Sequence, residues 1–568
     1  VVETEVMVDS AQSSVSWRDE TASSNTMADL VSVMAGRTEG SVVFPEIGTR
    51  MSHRELAGRA YGVAKVLTDV RVPAGDRRDH GGRVGILADN SPEFVHGLLG
   101  AFAAGLTAVP LAPPGLSSEP SVFLDRLVRV SRKAGVRSVL VGPPFDGGIE
   151  ALRGAGPELD FFALSECGSA APPTVRPPIE SGDLAVVQFS SGSTSEPKGV
   201  MIEHGALLAS IRGTASRSAV LSTDASLLWV PFFHDFGLVT LLTHLLTRSD
   251  LHVVKPATFV RKTAETVRYL ARERISSFTG PNFSYERILK AAADGELQGI
   301  DLSSWRTAVN AGEPVQARTV RRFLGLLGPL GVGPSVMNPG YGMAEFCVGI
   351  SYQAAGHVAR IVNVTRASLD DGRQIEMTEA GSAGSMPVVS QGPAFPDVQL
   401  RIRSADGIVL NDGYFGEIEA RGPNMLRGYL DDAEATRTAF DDGWFRTGDT
   451  GFLLDDELYV IGRKKDMIIC AGRNFHAQDV EAVVGGVEGI YQRHVVAVAD
   501  QEKESMVVIA ETTLADRAGL AGRIRARVAG ELGLAGVEVR LVERGWLPRT
   551  TSGKWQRTEV GRRLFETG

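Results

Sequence analysis

The sequence predicts an α/β protein. A large N-terminal domain is built on mostly parallel sheet and includes a small β-rich subdomain; a small α+β domain follows. Three observations predict this. Apolar strands alternate with helical stretches over the first two-thirds of the chain, the βαβ rhythm of a parallel sheet covered by helices. From about residue 396 short strands and turns replace that rhythm. After Gly462 strands and helices return in one compact unit.

The elements follow in order. Residues 1–26 are polar and Ser/Thr-rich, with no apolar core segment, and read as a flexible leader rather than a signal peptide. Residues 83–89 read as a strand. Ser91-Pro92-Glu93 then supplies an N-cap, a first-turn proline and an early acid for a helix running to about Gly105. Strands follow at 107–111 and 138–141, with Pro- and Gly-rich loops at 112–115, 142–148 and 171–182. Residues 183–190 form an apolar run that ends in a polar glycine loop. The most apolar window, 227–246, contains Pro231, His234 and Asp235, so it reads as a buried strand–loop–helix rather than a membrane span. Short strands are expected at 398–403, 408–410 and 416–420, making 396–465 the β-rich subdomain of a domain spanning 27–465. The last domain, 466–568, is expected to hold strands at 467–470, 495–498, 506–511 and 537–542, and helices at 477–484 and 514–532.

Composition narrows the function classes. The 568 residues are 43% hydrophobic and 22% charged, ordinary for a globular protein. A net charge of −9 gives no global reason to expect nucleic acid or an anionic membrane as partner. The three cysteines, Cys167, Cys347 and Cys470, form no C-x-x-C pair. They fit small buried apolar residues in a reducing, cytoplasmic setting better than a disulfide framework.

Five segments carry chemistry. Ser190-Ser-Gly-Ser-Thr-Ser-Glu-Pro-Lys-Gly199 follows a strand, and offers a polyphosphate close backbone N–H groups at Gly192, hydroxyl donors and the charge of Lys198. A Ser/Gly linker would share its composition, and it is not the G-x-x-x-x-G-K-[ST] loop. Asn338-Pro-Gly-Tyr-Gly-Met-Ala-Glu345 adds a glycine-broken turn and a carboxylate that could hold a divalent cation beside phosphate, or merely cap a helix. Gly443-Trp-Phe-Arg-Thr-Gly-Asp449 presents a carboxylate suited to a ribose diol, and Gly462-Arg-Lys-Lys-Asp466 places Arg463 nearby; each could equally be a surface turn. Pro548-Arg-Thr-Thr-Ser-Gly-Lys554 delivers one lysine near the C-terminal end, where a lone lysine is ordinarily solvated.

In this order the five segments resemble the adenylate-forming superfamily of acyl-CoA synthetases, peptide-synthetase adenylation domains and luciferases, over about residues 30–560. A finer resemblance points to fatty acyl-AMP ligases. It rests on Trp229-Val-Pro-Phe-Phe-His-Asp-Phe-Gly-Leu238, on Thr279-Gly-Pro-Asn-Phe-Ser-Tyr-Glu286, and on an extra segment at about 351–386. That segment contains Asn363-Val-Thr-Arg-Ala-Ser-Leu369 and rejoins the common pattern at Val389-Ser-Gln-Gly-Pro393.

The resemblance implies a large domain with two α/β sheet subdomains and a mobile C-terminal domain. It implies ATP and Mg²⁺ as cofactors, and acyl-AMP formation with pyrophosphate release. Ser190, Ser191, Gly192, Ser193 and Thr194 would cradle phosphate, and Thr194 and Glu345 would position the metal. Gly312, Glu313 and Pro314, with Tyr341 and Gly342, would line the adenine site. Asp449, assisted by Arg463, would bind the ribose. Lys554 would bridge the acid's carboxylate and the phosphate, with Lys198, Thr194 and Glu345 completing the catalytic set. Asp466 would be the hinge. The acyl pocket would run past His234, Phe236, Gly280, Pro281, Asn282 and Met343. The sequence departs from the family pattern at Ser195, where a second glycine is common, and at Glu196, which adds a negative charge. Ile468-Ile-Cys-Ala-Gly-Arg-Asn474 lacks the lysine of many CoA-forming relatives, and Ala477 stands for a usual proline.

The acid implied is apolar and fatty, and the acceptor a carrier protein's phosphopantetheine thiol. Free CoA is the alternative, disfavoured because the family's insertion restrains the domain movement that transfer to CoA needs. A catalytically dead acyl- or nucleotide-binding module is the reading from another class, and intact Glu345, Asp449 and Lys554 argue against it.

Overall fold

The computed structural model describes residues 16–70, 82–114, 120–174, 178–189, 197–382, 384–470, 473–491, 494–500, 505–534, 536–549 and 555–565. The large domain carries two α/β sheets. In the first, strands Met337–Tyr341, Thr307–Asn310, Ser277–Gly280, Ala225–Leu228, Asp250–Val253 and Ser41–Phe44 lie side by side and parallel. Antiparallel Ser351–Tyr352 and Thr49–Ser52 close the edges. In the second, Leu184–Phe189, Thr107–Pro110, Arg83–Leu87, Ser138–Val141 and Asp160–Ala163 are parallel, and Gly199–Glu203 and Gly428–Tyr429 add antiparallel at one side. Arg83–Leu87 and Ser138–Val141 are buried at every position, as strands covered on both faces must be. Helix Pro92–Ala103 starts at Ser91, whose side chain accepts from Phe94 N–H.

An aromatic cluster fixes the back of the first sheet. Phe278 packs edge-on to Tyr285 and Trp305 with centroids 5.6 and 5.8 Å away, and Phe323 packs on both of those at 5.8 and 5.4 Å. Tyr285 hydroxyl donates to the Val309 carbonyl at 2.7 Å, so the cluster grips the neighbouring strand as well.

The third sheet is antiparallel and starts earlier than the sequence reading places it. Its order is Ile361–Thr365, Ser385–Pro393, Glu457–Arg463, Trp444–Leu454, Gly416–Arg421, Gln399–Arg403, Val409–Leu410. The extra segment thus supplies an edge strand and completes the sheet's core with Val362, Val364 and Met386 against Phe452 and Tyr459. Buried Val362 and Val364 alternate with half-buried Asn363 and Thr365, but the alternation spans only five residues, too short to mark the strand by itself.

A second correction concerns the leader. Residues 16–26 are not a flexible tail: Trp17–Glu20 is helical, Thr26 forms a capping box with Asp29, and Arg212 donates to the carbonyls of Thr21 and Ser24 at 2.7 and 2.8 Å. Glu20 pairs with the buried Arg37 at 3.0 Å. Polar composition suggested disorder, but these groups find their partners far along the chain.

The C-terminal unit has its own core around Val480, Val508, Leu520 and Ile524. It comprises the ribbon Met467–Cys470 and Arg473–His476, the sheet Val495–Asp500, Ser505–Glu511 and Glu538–Val542, and helices Ala477–Val484, Arg517–Leu532 and Arg557–Phe565. The helix expected from residue 514 begins at Arg517, because Asp516 accepts from Gly519 N–H at 2.9 Å and caps it there. The three cysteines are buried and unpaired. Among the described residues no helix is long and apolar enough to cross a membrane.

Phe278→Ala should lower the stability of the large domain by about 3–5 kcal/mol, since Phe259, Tyr285 and Trp305 would lose a shared neighbour. Chemical denaturation followed by tryptophan fluorescence checks this; a change below ~1 kcal/mol would show that the cluster does not brace the sheet.

Candidate active site

Three adjacent parallel strands end side by side at Gly280, Asn310 and Tyr341. Loops leaving the carboxyl ends of such strands form the ligand crevice of open α/β sheets. After Asn310 the chain turns through Gly312 at φ +82°, a conformation that favours glycine, and Gly312 and Pro314 are exposed. Glu313 Oε1 accepts from Phe283 N–H at 2.5 Å, which ties this turn to the helix after Gly280.

The turn after Tyr341 is tighter. A Cβ at Gly342 would lie 1.2 Å from the Val348 carbonyl oxygen, so only glycine lets the chain fold back there. Cys347 and Val348 both have positive φ, +45° and +80°, which is strained for a β-branched residue. Four contacts from distant elements hold the strain in place. Ser210 Oγ donates to the Cys347 carbonyl at 2.6 Å. Asn424 Nδ2 donates to the Phe346 and Gly349 carbonyls at 2.9 and 2.7 Å. Leu426 N–H donates to the Glu345 carbonyl at 2.7 Å.

Two carboxylates are set by this turn. Tyr341 hydroxyl donates to Asp449 Oδ2 at 2.6 Å, and Arg463 Nε lies 3.2 Å from Asp449 Oδ1. Asp449 and Arg463 are directly opposite each other on antiparallel strands. Asp449 is buried and Arg463 half-exposed, so the pair opens on one side. The Asp449 charge raises the Arg463 pKa, and burial next to that carboxylate holds the Tyr341 phenol well above its ordinary value. The second carboxylate is Glu345, whose pKa burial raises; Tyr429 hydroxyl donates to its Oε1 at 2.8 Å. Lys198 Nζ stands 4.8 Å from the centre of the Tyr429 ring, a cation–π contact.

Tyr429 is the residue that the sequence reading missed. It belongs to the two-residue strand Gly428–Tyr429, which pairs with Val200 and Met201 just past Lys198 and Gly199. Gly428-Tyr429-Leu430 carries no charge and no glycine-loop signature, so only its position beside that strand marks it.

The candidates Ser190, Ser191, Gly192, Ser193, Thr194 and Lys554 lie outside the described residues. Asp466 is described: its carboxylate pairs with Arg557 Nη1 at 3.0 Å, and Arg557 also binds Glu481 through two contacts at 2.9 and 2.6 Å. Among the described residues no cluster of three His, Cys, Asp or Glu side chains could hold a metal. Glu345 alone, with one oxygen engaged by Tyr429, fits a Mg²⁺ ion that takes most of its other ligands from phosphate and water.

A cavity of about 60 Å³ adjoins these groups, between helix Asp235–Thr247 and the first sheet. Of the six residues expected to line an acyl pocket, Phe236 is on its wall. The other five are not among its lining residues. His234 contacts the Asp235 carboxylate at the helix N-terminus. Asn282 is buried, donating to Thr319 Oγ1 at 3.2 Å and accepting from Gln316 N–H at 3.2 Å. A Cβ at Gly280 would lie 2.4 Å from Ser284 Oγ and 2.9 Å from Trp229 Nε1, so its open side is already filled. Pro281 precedes Asn282 at that helix start, and Met343 is half-buried in the tight turn. The walls come instead from Val239, Thr243, Ala311, Gly340, Tyr341 and Phe395 among others, residues scattered over 180 positions or so that no single motif contains.

Comparison with known proteins agrees with this geometry. The AMP-binding enzyme family model matches residues 32–430. A medium-chain-fatty-acid–[acyl-carrier-protein] ligase of Moorena producens is 31% identical over 543 residues, covering 91% of this chain and 90% of its own. A Caulobacter vibrioides protein provisionally named an acyl-CoA synthetase is also 31% identical, with the same coverage. A solved structure from a study of fatty acyl-adenylate ligases of E. coli and L. pneumophila superposes with a TM-score of 0.87 at 27% identity, covering 95% of this chain and 98% of that one. With a carboxylate cradle at the carboxyl ends of the strands and the family match over most of its length, the chain belongs to the AMP-binding enzymes and is an acyl-AMP-forming ligase.

Proposed function

We propose that the enzyme activates an apolar, fatty carboxylic acid with ATP and Mg²⁺, and then delivers the acyl group to the phosphopantetheine thiol of a carrier protein. One observation carries the first half of this reading. Tyr341 is both a wall of the apolar cavity and the hydrogen-bond donor to Asp449, so the acid site and the nucleotide site meet at a single side chain.

The chemistry follows from charge. The acid is already ionised at neutral pH, so no general base is required. The barrier is the approach of one anion to another, in line with departing pyrophosphate, and it falls when positive charge and fixed donors are preorganised there. Asp449, held by Tyr341 and Arg463, orients the ribose. Gly312, Glu313, Pro314 and Gly342 border the adenine. Lys198 and the loop carrying Ser190 to Thr194 receive the phosphates. Lys554 bridges carboxylate and α-phosphate. Glu345 and Thr194 would hold Mg²⁺, which would further neutralise phosphate charge. The adenylate formed is a mixed anhydride open to thiol attack, and rotation about Asp466 exchanges the lysine for a thiol-admitting face.

The choice of acceptor is supported by one ion pair. Arg366, inside the extra segment, binds Asp479 in the first turn of helix Ala477–Val484 at 2.9 Å, and both side chains are about 20% exposed. The segment is itself anchored as an edge of the third sheet, so this pair fastens the C-terminal unit to a rigid part of the large domain. Restraint of that kind disfavours the larger rotation suited to free CoA. The name of the Caulobacter relative favours CoA as the second reading.

Three outcomes are expected. Lys554→Ala should cut acid-dependent pyrophosphate release ~10²–10³-fold, while transfer from supplied acyl-AMP to the carrier thiol stays within a few-fold of normal. Equal loss in both half-reactions would instead assign the lysine to folding or closure. Tyr341→Phe removes a hydrogen bond to a charged group worth ~1.5–3 kcal/mol. KM for ATP should rise about tenfold or more, with a smaller change in kcat; an unchanged KM would remove Tyr341 from the nucleotide site. Arg366→Ala should raise acyl-CoA formation by up to about fivefold, the scale of a partly exposed ion pair. Vigorous CoA acylation by the unaltered enzyme would overturn the carrier-protein assignment.

A further inference from the structure

The cavity wall is rich in hydroxyl side chains, yet most of them are already spent. Along helix Asp235–Thr247 the wall is formed by Phe236, Val239, Thr240, Thr243 and His244, spaced as one helical face. Thr240 and Thr243 donate to the carbonyls of Phe236 and Val239, each at 2.8 Å, and Thr214 donates to the Ser210 carbonyl at 2.9 Å. Their hydroxyls are tied to their own helices and cannot serve as the cavity's donors. Ser218 donates to Tyr352 hydroxyl at 3.2 Å. The result is an apolar channel for a hydrocarbon chain.

His244 differs. It is 4% exposed, and its Nδ1 is 2.7 Å from Ser249 Oγ. Ser249 Oγ is 3.0 Å from Thr247 Oγ1, which is 3.0 Å from the Thr243 carbonyl. All three contacts are hydrogen bonds only if the protons run one way: His244 Nδ1–H to Ser249, Ser249 to Thr247, Thr247 to the carbonyl. The opposite direction leaves the carbonyl contact without a proton. This direction puts the proton on Nδ1 and makes Nε2 an acceptor. Burial lowers the imidazole pKa to about 4, so the ring is neutral at neutral pH. His244 lies eight residues beyond Phe236, about 12 Å along the helix. Phe236 packs beside Gly312 at the nucleotide end, so His244 marks the distal end of the channel. Ser351 Oγ, also on the wall, is buried without a partner and is a second polar atom awaiting a ligand.

We propose that the preferred acid carries a hydroxyl group at the distal end of its chain, which donates a hydrogen bond to His244 Nε2. This rests on the acyl reading of the cavity given above, and it narrows the substrate class from fatty acids to hydroxylated ones. An apolar acid of the same length leaves the acceptor unmet, and a site built around such a bond discriminates strongly against the analogue lacking it.

The test is pyrophosphate release by the whole enzyme with straight-chain acids of about six to twelve carbons and their ω-hydroxy counterparts. At the best chain length the hydroxy acid should be preferred about 10- to 100-fold in kcat/KM. In His244→Phe that preference should collapse to within a few-fold of unity, with circular dichroism and a thermal melt to check that the variant is folded. His244→Gln, which retains a hydrogen-bonding side chain, should keep part of the preference. Equal use of both acids at every length by the unaltered enzyme overturns the proposal, as does a proportional loss of both acids in the two variants. Turnover of the plain acids alone leaves the activation reading standing and sinks only the hydroxyl assignment; no turnover with any acid overturns the acyl reading beneath it.

Discussion

The backbone contact between Gly342 and the Val348 carbonyl governs the site. A Cβ at position 342 would occupy the carbonyl's place, and the fold-back requires positive φ at Cys347 and Val348. Strain of this kind costs on the order of 1–3 kcal/mol per residue and persists only where surroundings impose it. Here Ser210 imposes it from one segment, and Asn424 and Leu426 from another. The return for that strain is placement. The same short turn aims Tyr341 at Asp449, brings Glu345 under Tyr429, and feeds Val348, Gly349 and Ser351 into the cavity wall. The proposed nucleotide, metal and acid sites are thus registered to one another by a single loop.

Electrostatics divides the site into two halves. Around Asp449 the partners are a phenol and a guanidinium, which fix a carboxylate in place with one side open to solvent. Around Glu345 the partners are Tyr429 and, through that ring, Lys198. The second half is less saturated: burial pushes the Glu345 carboxyl up despite the Tyr429 hydrogen bond and the charge of Arg463, so its charged form would gain from a cation.

The extra segment joins the third sheet by five residue pairs between Ile361–Thr365 and Ser385–Pro393, then reaches the C-terminal unit through Arg366. Within that unit Arg557 ties Asp466 to the buried Glu481. Two arginines therefore bear on the junction between the units, and both act through carboxylates that are largely buried.

How much of this was legible beforehand depends on range. The βαβ elements from Arg83 to Val141, the helix Ala477–Val484 and the Gly and Asp motifs were readable because periodicity, caps and glycine turns are local properties. The ordered segment before Met27 was not, because its polar groups are satisfied by partners far along the chain, such as Arg212 for Thr21, and neither was the sheet edge at Ile361–Thr365, a short strand fixed by its pairing with Ser385–Pro393. Tyr429 meets Glu345 across 84 residues, and Tyr341 meets Asp449 across 108. The cavity assembles single residues from helices and strands that lack any shared motif, and its chemistry turns on a tautomer set by Ser249 and Thr247. By itself the sequence determined the elements, their alternation and the family of reaction, since each is written in neighbouring residues. Only the tertiary structure decided which hydroxyls are spent, which ring nitrogen accepts and which carboxylate is paired, because a hydrogen bond is fixed by distance in space and not by distance along the chain.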